Sequence, residues 1–132
     1  MLFGEIEQYQ QYHNFADSRT FFTFPNFFDV SSNLLFAVVG ITGSLFAYKR
    51  VRREAYYSWI TMFAGVTLIS LGSGYYHWNP DDSTLVWDRL PMMIAFMGFF
   101  SALLTEFVSL KLEKMMLVPA VILGLLSVIY WH

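Results

Sequence analysis

The chain predicts an all-α, integral membrane helical bundle with four transmembrane helices, forming one membrane domain over residues 1–132. Two observations carry this. The composition is 56% hydrophobic and 20% aromatic with only 14% charged residues, far too apolar for an ordinary soluble domain. The apolar residues also fall into four runs, about 30–48, 56–77, 87–110 and 115–131. Each is close to the roughly 20 residues that cross the hydrocarbon of a bilayer.

Residues 1–29 form an acidic and aromatic lead-in, in which Phe21, Phe22, Phe24, Phe27 and Phe28 cluster around Pro25. This pattern suits a headgroup interface better than a span. No basic start followed by an apolar core opens the chain, so the first helix is expected to insert uncleaved. That helix, 30–48, ends at the charged run Lys49, Arg50, Arg52, Arg53 and Glu54. The second carries Gly65, Gly72, Ser73 and Gly74, small residues that allow close helix approach in lipid. Asn79, Pro80, Asp81 and Asp82 break it, with the two aspartates read as solvated turn residues. The third helix is expected from about Trp87. The fourth, 115–131, is the purest apolar run and is followed by His132.

Alternating spans put Lys49, Arg50, Arg52, Arg53, Lys111 and Lys114 on one side and only Arg19 and Arg89 on the other. Six basic residues against two make the first side cytoplasmic and leave the amino terminus non-cytoplasmic. The net charge of −2 and the lack of a basic, aromatic-interleaved run give no reason to expect nucleic acid as a partner. The absence of cysteine excludes a disulfide framework and a thiolate metal site.

Three polar residues are expected to converge. Ser73 and His77 lie four residues apart on one helix face, with roughly 6 Å of rise between them. The short link to the next helix makes the two helices antiparallel neighbours, which returns Asp88 toward His77. Each residue also has a plain structural reading. His77 suits an interfacial histidine satisfied by water or a carbonyl, Ser73 a packing residue between two glycines, and Asp88 a cap on the third helix. Together, a hydroxyl, an imidazole and a carboxylate suit hydrolysis or one side of a metal site. Glu106, 18 residues beyond Asp88, falls at the opposite membrane face and suits interfacial solvation. Met92, Met93, Met97, Phe96, Phe99 and Phe100 read as packing or lipid-facing surface. A Ser-His-Asp serine hydrolase is disfavoured, because no strand-to-helix elbow exposes a nucleophile.

The run Ser73-Gly74-Tyr75-Tyr76-His77, with Asp88 eleven residues on in Trp87-Asp88-Arg89-Leu90-Pro91-Met92, resembles the alkaline ceramidase (alkaline phytoceramidase) family of integral membrane amidases. The segments His13 to Asp17 and Pro25 to Asn33 are similar to those preceding the first helix in its bacterial members. The resemblance implies a seven-helix fold whose zinc is held by three histidines, one matching His77 and two from a His-x-x-x-His pair on the last helix. It implies that Ser73 and Asp88 stand beside a zinc-bound water, with Asp88 moving protons and Ser73 donating a hydrogen bond to the water or the oxyanion. The implied substrate is a ceramide-like lipid, cleaved to a fatty acid and a free amine at a multi-pass protein of the bacterial inner membrane. This sequence has four helices rather than seven and no His-x-x-x-His pair; its other histidines are His13, in the lead-in, and His132. It therefore reads as the amino-terminal portion of a larger enzyme, whose partners are the bilayer and either further carboxy-terminal helices or another chain. Calcium is a further candidate by the same resemblance; Asp17, Asn26 and Asp29 match its pattern too loosely for ligands to be assigned. The alternative is a non-enzymatic four-helix membrane protein with a lipid-binding or packing role.

Overall fold

The computed structural model describes residues 8–50 and 55–132. Arg52, Arg53 and Glu54, named above, lie outside them. The architecture is all-helical: a 3-10 turn at Gln10–His13, then α1 Phe27–Ser32, α2 Leu34–Arg50, α3 Tyr56–Trp78, α4 Asp82–Phe107 and α5 Leu112–Trp131. Helices α2 to α5 pack in chain order, each mainly against its neighbours.

Three stretches are long and apolar enough to cross a membrane: Phe27–Arg50, Asp82–Phe107 and Leu112–Trp131. These are the features of a multi-pass membrane protein. Helix α3 is 23 residues long but is not among them; it carries Ser58, Thr61, Thr67, Ser70, Ser73 and His77. It lies between α2 and α4. The residues buried between helices are mostly small, among them Gly65, Ser73, Ala95, Gly98, Ser101, Ala102 and Gly124. Large apolar residues such as Leu35, Leu45, Phe96, Leu123 and Ile129 face outward. That distribution suits lipid, where large side chains gain nothing by leaving the surroundings and association rests on close backbone packing.

Three helix starts differ from expectation, the last helix beginning at Leu112 rather than 115. The first apolar helix begins at Phe27 rather than at 30, and α1 passes into α2 at the buried Asn33, whose Nδ2 donates to the Asp29 carbonyl at 2.7 Å. The third begins at Asp82 rather than Trp87, because Asp81 is its N-cap. The Thr84 amide donates to Asp81 Oδ1 at 2.7 Å, and the Asp81 amide donates to Thr84 Oγ1 at 3.1 Å. Aspartate followed three residues later by threonine thus closes a capping box, with threonine filling the place more often taken by Glu or Gln. Hydrogen bonds from Ser83 and Thr84 hold the Asp81 carboxyl below the usual carboxylate range. Asp88 consequently lies inside α4 and does not cap it.

Helices α3 and α4 run antiparallel. A Cβ on Gly72 would lie 2.0 Å from the Trp87 carbonyl oxygen, one on Gly65 2.5 Å from the Ala95 amide nitrogen, and Ser58 donates to Ser101 Oγ at 3.1 Å. The contact at Gly72 has a local cause. Pro91, inside α4, has no N–H to offer the carbonyl four residues before it, which is that of Trp87. The freed oxygen sits against the bare Gly72 backbone, and this approach sets Ser73 beside Asp88.

The opposite end of the bundle is also tied by acids. Glu113, buried at the start of α5, accepts the Ser58 amide at 2.8 Å and so caps the first turn of α3. Glu106, expected to be interfacial, is exposed and accepts the Trp59 Nε1–H at 2.7 Å.

Candidate active site

Ser73 and His77 stand one turn apart on α3, as their spacing requires, and Asp88 faces them from α4. All three line one cleft of ≈ 330 Å³. Ser73 and Asp88 are buried, and the Ser73 side chain lies beside the Asp88 carboxyl. His77 is half-buried, with its ring tilted against Phe15 at 4.4 Å between centroids. Among the described residues, two polar atoms in this cleft are buried with no hydrogen-bond partner: His77 Nδ1 and Asp88 Oδ1. A buried polar atom left unpaired costs free energy comparable to a lost hydrogen bond, and such pairs cluster where a water, ion or substrate completes them.

The rest of the lining comes from segments that the spacing of Ser73, His77 and Asp88 does not reveal. Helix α1 and the start of α2 contribute Asp29, Asn33 and Phe36, α4 contributes Met92, and the lead-in contributes Tyr12 and Phe15. The cleft thus has a polar floor and aromatic or thioether walls. Tyr76 also lines it, and that residue was legible in principle, since 73, 76 and 77 share one helical face. Asn33, an amide inside an apolar run, carried a similar signal.

The lead-in is fastened over this end of the bundle. His13 is buried, with Nδ1 2.9 Å from the Tyr76 hydroxyl and Nε2 3.1 Å from Asp82 Oδ1. Both ring nitrogens are engaged, so His13 braces the cleft from outside and has no free nitrogen for a metal. Asp82 is therefore a bonding partner as well as the first residue of α4. Asn26, in a left-handed conformation, donates from Nδ2 to the His77 carbonyl at 2.8 Å. Asp17 accepts Arg19 Nε at 2.6 Å and the Phe28 amide at 2.8 Å, which caps α1.

The metal candidates are constrained accordingly. His77 and Asp88 suit one wall of a zinc site, since each offers a buried unpaired atom. The described residues contain no group of three His, Cys, Asp or Glu side chains that could hold an ion, and zinc takes at least three protein ligands. For calcium, Asp17 and Asn26 are already engaged by Arg19, the Phe28 amide and the His77 carbonyl, whereas Asp29 faces the cleft.

The Arg19 guanidinium holds the Asp17 carboxyl below its ordinary value of 3.8. A carboxylate with a depressed folded value stabilises the docked lead-in above the unfolded value and loses that contribution as pH falls through the folded one. Fastening of residues 8–28 should hold at neutral pH and weaken below pH 3.8. Limited proteolysis with pepsin across that range should show the lead-in cut progressively sooner in the wild type. The Asp17→Asn protein should already be cut early at the upper end of the range, with less further change.

Comparison of the chain with protein-family models, with curated proteins and with solved structures returned no match.

Proposed function

We propose that this chain carries part of the active site of a zinc-dependent membrane amidase that hydrolyses the N-acyl bond of ceramide-type lipids. The observation that carries the reading is the pair of unpaired buried atoms, His77 Nδ1 and Asp88 Oδ1, in a cleft shared with Ser73. The cleft's mixed lining supports an amphipathic substrate. An amide and its neighbouring hydroxyl fit the floor of Ser73, Asp88 and Asn33, and hydrocarbon fits the walls of Phe15, Phe36 and Met92.

His77 would be one protein ligand, and zinc bound there would supply a Lewis acid and a lowered water pKa. The remaining ligands come from outside the described residues, on a further segment or a second chain. Asp88 accepts the proton of the water that attacks the amide carbonyl carbon, then returns it to the nitrogen as the C–N bond breaks. A fatty acid and a free amine leave. Ser73 donates its hydroxyl proton toward the oxygen on which negative charge develops. In this reading α3 is a fourth span within a larger, seven-helix fold of the ceramidase type. The basic ends of α2 and α5 face the cytoplasm, and the cleft opens on the non-cytoplasmic side of a bacterial inner membrane.

This chain by itself is expected to show little activity, because two zinc ligands are missing from the described residues. The test is release of fatty acid from an N-acyl sphingoid base by membranes carrying the protein together with a polypeptide that supplies the missing histidines, above that of membranes carrying that polypeptide alone. Release that a zinc chelator removes and His77→Ala abolishes supports the reading. No release, or wild-type release from the His77→Ala protein, overturns it.

A further inference from the structure

One residue beyond Asp88, α4 turns a cation toward α5. The Arg89 guanidinium carbon lies 3.9 Å from the centroid of the Trp131 ring. It borders a groove of ≈ 350 Å³ lined by Arg89, Met92, Met93, Ser127, Val128 and Trp131. The ion pairs among the described residues are those of Arg19 with Asp17 and His13 with Asp82. Among those residues Arg89 has neither a hydrogen bond nor a carboxylate at ion-pair distance.

Depth makes that notable. Arg89 is seven residues into α4, roughly 10 Å from its start, and Trp131 closes the last turn of α5. Both helices are long and apolar enough to cross a membrane. The guanidinium therefore sits near the boundary of headgroups and hydrocarbon, the level at which tryptophan is also enriched. A charge at that depth is costly unless an anion meets it, and a planar guanidinium matches two oxygens of a phosphate. Below it the walls are methionine and valine, flexible apolar surface suited to an acyl chain. No residue of the lining is acidic, so a headgroup amine would find no counter-charge there.

We infer that the α4–α5 groove binds a phospholipid of net negative charge from the surrounding leaflet. Arg89 pairs with its phosphodiester, Trp131 flanks the guanidinium, and one acyl chain lies along Met92, Met93 and Val128. Met92 also lines the Ser73 cleft, so the bound lipid forms part of that cleft's outer wall. The inference rests on charge and depth, and is independent of the amidase reading.

The probes are phosphatidylglycerol and phosphatidylcholine with identical chains, offered to the detergent-purified protein and counted by native mass spectrometry. The site itself is read by quenching of Trp131 with brominated phosphatidylglycerol in a Trp59→Phe, Trp78→Phe, Trp87→Phe background. The wild type should retain phosphatidylglycerol about tenfold over phosphatidylcholine, the scale of one charge-assisted hydrogen bond. Arg89→Gln should remove the preference and the excess quenching, while Arg89→Lys should keep a reduced preference. Circular dichroism confirms that each variant is folded. Equal retention of the two lipids, a preference unchanged in Arg89→Gln, or displacement by millimolar inorganic phosphate alone would overturn the inference.

Discussion

Under the proposed amidase function, replacing Asp88 with asparagine is expected to cut amide hydrolysis by about 10²–10⁴-fold, the range lost when a positioned proton-transfer group is removed. The fold should survive. Asparagine has nearly the same shape, and Asp88 brings to its buried site an oxygen that no described residue satisfies. Replacing a buried carboxyl with a neutral amide relieves a desolvation cost, so thermal unfolding in detergent should occur at the same temperature or higher. A purely structural aspartate predicts the reverse, since its loss would lower stability and alter activity only in proportion. The two measurements together separate the roles. Activity falling while stability holds or rises supports proton transfer, and a parallel fall in both contradicts it.

The second large effect is expected at Gly72. Its nearest neighbours on α4 are backbone atoms, with the Trp87 carbonyl oxygen 2.0 Å and the carbonyl carbon 2.9 Å from where a Cβ would stand. Neither can rotate away, so Gly72→Ala must push α3 from α4. Overpacking of this kind costs about 1–3 kcal/mol, and displacing Ser73 and His77 from Asp88 by about 1 Å should reduce the proposed hydrolysis roughly 10²-fold. Gly74→Ala is the internal control, because no described residue comes within 4 Å of that Cβ. There the change should be neutral or slightly stabilising, as expected for alanine replacing glycine in a helix. Equal destabilisation by both substitutions would mean that the close contact at Trp87 does not hold the helices together.

The contrast between these two glycines shows how far the sequence reads. Two glycines flank Ser73 symmetrically, and nothing local says that one touches a carbonyl freed by Pro91 while the other faces open space. The start of α4 was similarly hidden. Asp81 and Thr84 form a box from side chains that also suit a turn, and the helix they cap carries Asp88 to an interior position.

What the sequence determined by itself is the all-helical, apolar architecture and the shared face of Ser73 and His77. Both follow from interactions repeating every three or four residues, which any stretch expresses without its neighbours. Only tertiary structure decided that His13 braces Tyr76 and Asp82, that Asn33 and Phe36 close the cleft, and that Arg89 meets Trp131. Each of these joins residues far apart in the chain, at places fixed by how closely two helix backbones approach. That distance is set by which small residues happen to face each other across the packed pair.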